Sequence, residues 1–184
     1  MYSMLRPLFR HSLAVVVVTA IAAACGDNPA VGTGPTAPEP LLAQVPSPDH
    51  QKAIAALRRA TDRYHRLSMA IADGFVFLHP CEVRPGEGPV GMVYVNPQRL
   101  DGSIDLSQPE ALVYEPRKDG PPKLVAVELA IPYAAWSAPQ PPQFLGATFQ
   151  AEDEFQVFGL HVWVWRQNPN GLFEEANPRV RCDG

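Results

Sequence analysis

From Ile54 onward, apolar side chains recur three and four positions apart: Ile54, Leu57, Ala60, Tyr64, Leu67 and Ile71. A helix turns once in about 3.6 residues, so this spacing gathers them on one stripe. Arg58, Arg59, Asp62, Arg63 and Arg66 fall mostly off it. Ser47-Pro48-Asp49 supplies an N-cap, a proline at the first helical position and an acid in the first turn. Gly74 supplies a stop, which predicts one helix of about 25 residues. Beyond it the pattern changes to short β-prone runs: Phe75–Phe77, Gly91–Val95, Ala111–Tyr114, Leu124–Ile131 and Phe158–Arg166. Arg84-Pro85-Gly86, Asp101-Gly102, Lys118-Asp119-Gly120 and Pro139–Pro142 separate them. The Lys118-Asp119-Gly120 break predicts a hairpin between the third and fourth runs. No strand–helix–strand alternation follows, which argues against a parallel sheet. The expected fold class is α+β, with one long N-terminal helix packed on an antiparallel sheet of four to six strands. Residues 47–184 form a single globular domain in this reading.

The segment before the helix has a different character. Arg6, Arg10 and His11 precede an apolar run from Leu13 to Ile21, and Ala22-Ala23-Ala24-Cys25 follows. This is the anatomy of a secretory signal over residues 1–24. The apolar run is too short to span a bilayer, which takes about 20 residues. Ala22-x-Ala24 fits an ordinary signal-peptidase site. Ile21-Ala22-Ala23-Ala24-Cys25 also resembles the lipobox of bacterial lipoproteins, with Ala22 where leucine is most usual. That resemblance implies cleavage before Cys25 and a diacylglycerol on its thiol. Cysteine parity points the same way: Cys81 and Cys182 can pair if Cys25 carries lipid. Otherwise Cys25 is free or paired between chains. Residues 25–46 are rich in proline and glycine and read as an extended tether.

Composition narrows the classes further. The 184 residues include 21 prolines and 13 glycines, and only 18% are charged, which excludes a charge-rich coiled coil. The formal charge is −4, so no strong positive balance exists to drive binding to nucleic acid. Removing the signal takes Arg6 and Arg10 with it and leaves 13 Lys and Arg against 19 Asp and Glu, a formal −6. Attachment to a membrane would then rest on the lipid rather than on a basic patch.

Two strands carry the candidate chemistry. Glu128 interrupts the apolar run Leu124–Ile131, where a carboxylate is costly to bury unless paired or ligated. Alternation assigns it the face of Leu124, Ala126 and Ala130. His161 sits mid-strand, and the same rule puts His161, Trp163 and Trp165 on one face. If the two strands are neighbours in register, Glu128, His161 and Tyr94 line one pocket. Such a pair ordinarily serves structure; its functional alternatives are a ligand pocket, a general base or part of a metal site. Trp163 and Trp165 are candidates to stack on a small ligand. The histidines are scattered, so no metal-spaced cluster stands out and no cofactor is implied. A copper site from His79, His161 and Met92 is a minor alternative.

The run Leu160–Phe173 with Asn177–Cys182, together with Val90–Pro97, Glu110–Pro116 and Leu124–Glu128, resembles a family of uncharacterised exported bacterial proteins. The resemblance covers about residues 70–182. In that family a histidine commonly precedes the tyrosine, where this chain has Val93. The resemblance implies one compact secreted domain and brings no activity with it. The expected function is a non-enzymatic binding or structural domain, anchored by lipid to the outer face of a bacterial membrane. Its partners would be the membrane and a small ligand or an envelope protein. The alternative is a hydrolase or metal-dependent enzyme using Glu128 and His161.

Overall fold

The computed structural model describes residues 47–184. The signal segment 1–24, Cys25 and the tether to residue 46 lie outside the described residues. The described chain is α+β: a helical segment and a curled six-stranded antiparallel sheet.

The helical segment starts as the sequence predicts. Helix α1 (Pro48–Thr61) opens on a reciprocal cap in which Ser47 Oγ accepts from the His50 N–H at 3.2 Å and His50 Nδ1 accepts from the Ser47 N–H at 3.4 Å. Histidine here takes the place usually filled by Glu or Gln. The expected single long helix is interrupted. Asp62–His65 tightens to a 3₁₀ turn, Arg66 is extended (φ −96°, ψ 104°), and α2 (Leu67–Ala72) begins afresh. Two hydrogen bonds account for the break. The Thr61 hydroxyl donates back to the Leu57 carbonyl at 2.6 Å, a contact that bends helices. The Tyr64 carbonyl accepts from the Tyr114 phenol at 2.8 Å. After α2, Gly74 (φ 93°) donates to Ile71 and Phe75 to Ala70, at 3.1 and 3.0 Å. These two bonds form a Schellman close.

Tyr114→Phe should therefore cost more than a surface hydroxyl. It strands the Tyr64 carbonyl beneath a buried ring. Urea unfolding should show a loss of about 1–3 kcal/mol, and an unchanged midpoint would refute this account of the break.

The sheet comprises β1 (Val76–Arg84), β2 (Gly88–Val95), β3 (Ala111–Glu115), β4 (Lys123–Pro132), β7 (Gln150–Glu152) and β8 (Val157–Val162). A small hairpin of β5 (Gln143–Phe144) and β6 (Ala147–Thr148) lies outside it. Strand order is β1-β2-β3-β4-β8-β7, and the predicted β3–β4 hairpin is present. One face carries Leu112, Tyr114, Val127, Leu129, Leu160 and Val162 against Leu57 and Tyr64 of the helical segment. The other carries Val93, Ala111, Val113 and Ala126, covered by Trp163 and Val180.

Two irregularities correct the alternation argument. On β4, Ala126 pairs with Val113 but Leu124 pairs with Tyr114. Val125 is therefore a bulge. Leu124 joins the helix-side core rather than the face of Glu128. Strand β8 stops at Val162, short of the expected Arg166. Past that point Trp163 donates from its backbone to Leu172, and the backbones of Trp165 and Arg166 both donate to Val125 at 3.1 and 3.0 Å. Period-two alternation ends there, so Trp163 and Trp165 join opposite cores.

At the edge, the β1–β2 register slips between Phe77 and His79, between His79 and Glu82, and between Glu82 and Val83. Such bulges bend a strand. The two edges of the sheet meet where His79 of β1 stacks on Phe155 of the β7–β8 turn, centroids 5.8 Å apart. A disulfide joins Cys81 of β1 to Cys182 of the tail, with Cα atoms 5.3 Å apart. Among the described residues, no helix is long and apolar enough to cross a membrane.

Candidate functional site

The curl of the sheet creates the site. On the face away from the helices, β4 pairs with β8 so that Glu128 stands directly opposite His161. Ala111 on β3 flanks Glu128 from the other side, and its small side chain leaves room for the carboxyl. Both chemical groups are buried: Glu128 is 6% exposed and His161 3%. Strand β7, beyond β8, brings Glu152 over the same face. The carboxyls of Glu128 and Glu152 converge above Gly159 of β8, where a Cβ would collide with an Oε1 of each. The tail adds Glu175. Its backbone carbonyl lies 2.9 Å from His161 Nδ1 and its carboxylate 3.3 Å from the same nitrogen. Arg84 of β1 pairs with the Glu175 carboxylate at 3.0 Å.

The other ring nitrogen is unsatisfied. His161 Nε2 is buried without a hydrogen-bond partner. Glu128 Oε2 is the charge it faces, at 3.7 Å, beyond hydrogen-bond reach. Buried polar groups without partners are rare enough to need an explanation.

Electrostatics follow from this crowding. Burial pushes the Glu128 carboxyl above its ordinary range, and the charges of Glu152 and Glu175 push it further. Burial and Glu175 raise Glu152 as well. Like charges held this close favour one shared proton over two ionised groups. Burial works against a charge on His161, but Glu175, Glu128 and Glu152 outweigh it and raise the imidazole to about 9. Burial also opposes a charge on Glu175, yet His161 and Arg84 hold its carboxyl below the usual carboxylate range.

Two adjoining cavities meet at the carboxyl pair. One, of about 100 Å³, is polar and includes His79, Glu82, Arg84, Glu154, His161 and Glu175 in its wall. The other, of about 140 Å³, is apolar, with Leu78, Val95, Leu100, Ala111, Ala130 and Val157. Glu128, Glu152 and Phe155 line both. The combination can hold a small molecule with one charged end and one apolar end.

Of the side chains singled out from the sequence, Glu128 and His161 are brought together and Tyr94 is not. Tyr94 faces the helix side, edge-on to Tyr114 at 5.5 Å and Phe77 at 5.6 Å; its neighbour Val93 faces the site's side of the sheet. Trp163 packs beside His161, ring centroids 5.7 Å apart, and its indole donates to the Glu174 carbonyl. Trp165 lies on the far side, donating to Thr61 Oγ1 at 3.0 Å, with its ring edge-on to His65. Met92 packs against the helix-side core, away from His79 and His161. No group of three or more His, Cys, Asp or Glu side chains among the described residues could hold a metal ion. Glu152, Glu175 and Gly159 are the site residues that sequence reasoning missed. Gly159 was the available signal, since an isolated glycine inside an apolar strand marks a close approach.

Compared with known protein families, with characterised proteins and with solved structures, the chain matches none.

Proposed function

We propose that this chain is a lipid-anchored extracytoplasmic binding domain that takes a small ligand in the joined cavities. The anchor is Cys25, and the tether to residue 46 lifts the domain off the outer face of the membrane. The signal-like order of residues 1–24 and the lipobox-like Ile21-Ala22-Ala23-Ala24-Cys25 support that address. One observation carries the binding reading. His161 Nε2 is buried without a hydrogen-bond partner in the wall of a cavity. Glu128 Oε2 stands 3.7 Å from that nitrogen, an ion-pair distance that leaves it room to accept or donate a further hydrogen bond. The hydrolase alternative draws on the same pair, with His161 or Glu128 activating water. Among the described residues no serine, threonine or cysteine lines either cavity, so such an enzyme would use water or one of the cavity's carboxylates or imidazoles as its nucleophile.

Protein extracted from membranes tests the reading in one preparation. Intact mass should show an acylated Cys25. Ligand-observed NMR against a library of small charged and neutral compounds should find binders that Glu128→Gln abolishes. Compounds consumed by the wild type but not by Glu128→Gln would replace binding with hydrolysis. A library with no binder would remove the binding reading, and unmodified soluble protein would remove the anchor.

A further inference from the structure

We propose that the ligand is a small primary ammonium whose apolar body is no larger than a benzene ring. This rests on the binding reading above and names the chemistry of the same site. Three features of the geometry select it. First, the unpartnered His161 Nε2 faces Glu128 at 3.7 Å, the Glu128 and Glu152 carboxyls converge above Gly159, and all three side chains line one cavity. An –NH₃⁺ group has three N–H donors and no acceptor. With the Nδ1–H of a neutral His161 donating to the Glu175 carbonyl at 2.9 Å, Nε2 presents a lone pair. One ammonium can then donate to Nε2 and to each carboxylate. An anion would meet carboxylates, and a quaternary ammonium would offer no donor.

Second, carboxyl groups outnumber cationic groups in the wall. Five glutamates line the polar cavity, at positions 82, 128, 152, 154 and 175, against one arginine and two histidines. Arg84 is committed to Glu175. Third, the apolar cavity opens from the carboxyl pair itself and gives a hydrocarbon body somewhere to go. Its volume of about 140 Å³ is close to that of an engineered apolar cavity of roughly 150 Å³ that holds benzene.

Binding would exchange protons for the ligand. Without the ligand, Glu128 and Glu152 share a proton and His161 is an imidazolium. An arriving ammonium satisfies the same carboxylates and repels the imidazolium charge. The shared carboxyl proton and the Nε2 proton of His161 therefore both leave to solvent as the ammonium enters, and no covalent bond forms. The other titratable or charged side chains in the same wall are Glu175 from the tail, His79, Glu82 and Arg84 from β1, and Glu154. Affinity should rise as pH increases through the neutral range, because proton and ligand compete for one place.

Isothermal titration of the full chain with benzylamine tests this, with benzyl alcohol as the uncharged match. Benzylamine should saturate one site, and benzyl alcohol should bind at least about tenfold more weakly, the worth of one charge-assisted hydrogen bond. Repeating the titration in two buffers of different ionisation enthalpy should show net proton release, a readout that needs no variant. Glu152→Gln should weaken benzylamine by at least about tenfold and leave benzyl alcohol unchanged. Equal binding of the two compounds, or no proton release, would overturn the ammonium while leaving a binding domain in place. No saturation by benzylamine at low millimolar concentration would overturn it too. The library screen then decides separately whether any ligand binds.

Discussion

The domain is expected to be most stable near pH 5 and to weaken steadily toward pH 9, and Glu110→Gln should remove a separable part of that loss. Glu110 is 1% exposed. Its Oε2 accepts from the Ala130 N–H at 3.1 Å, and burial raises its carboxyl from 4.5 to about 8. Between those values the folded chain keeps a proton that the unfolded chain has released. Each such proton lowers stability by about 1.4 kcal/mol per pH unit as pH rises. His161 acts in the same direction. Its stabilising charge is complete below the ordinary imidazole value of 6.5 and is lost as pH climbs through about 9. Glu128 and Glu152, both raised, add to the fall. Glu175 alone among the site's carboxyls is lowered. Its contribution is present above the ordinary carboxylate range and lost in acid, which sets the lower limit of the optimum. In Glu110→Gln the amide oxygen keeps the bond from Ala130 but never ionises. Urea unfolding should show a gain of about 2–4 kcal/mol at pH 8 and almost none at pH 5. A wild-type stability that is flat or rising from pH 5 to 9 would mean that these carboxyls ionise in the folded chain without penalty.

Local rules made the elements legible and long-range contacts decided what they missed. Ser47-Pro48-Asp49 marked the helix start because a cap is a matter of neighbouring residues, and Gly74 marked its end for the same reason. The break at Asp62–His65 was hidden. The stripe runs on through Tyr64, Leu67 and Ile71, and the group that holds the break is Tyr114, 50 residues away. Glu128 and His161 stood out as polar residues in apolar strands, but only strand order and register make them opposite neighbours. Tyr94 does not join them, because Val93 takes the site's face of β2 and period-two geometry turns Tyr94 to the helix side. Leu124 and Trp165 were misassigned because alternation fails at a bulge and past a strand end. Glu152 and Glu175 sit in polar surroundings, among Asp153, Glu154 and Glu174, where a glutamate is ordinarily solvated. Their burial comes from an edge strand and a tail folding over the sheet, which no local pattern encodes.

That dependence on distant closure gives the other large effect, on the Cys81–Cys182 disulfide. The two cysteines are 101 positions apart. In the chain-entropy view, closing a loop of about 100 residues takes roughly 4–5 kcal/mol from the unfolded state. The folded state gives up more than a sulfur contact when the bond is lost. The tail held by Cys182 places Val180 in the core, lets the Arg181 backbone donate to Glu115 at 3.1 Å and carries Glu175 to His161. At the other end, the bond ties β1, whose Val76, Phe77 and Val83 are more than half exposed. That strand is otherwise held chiefly by an irregular pairing with β2. The Cys81→Ser, Cys182→Ser double variant should therefore lose about 4–5 kcal/mol in urea unfolding, with Tm lower by roughly 10–15 °C. Reduced wild type should match it. The consequence for the site is specific: a loosened tail withdraws Glu175, so His161 loses both the backbone acceptor and the carboxylate at Nδ1. Its imidazole should then titrate lower, measurable by NMR of the ring protons. A stability loss under about 1 kcal/mol would mean that the unfolded chain is already compact enough for the cross-link to constrain little. An unchanged His161 titration would mean that the tail holds Glu175 in place through its own packing.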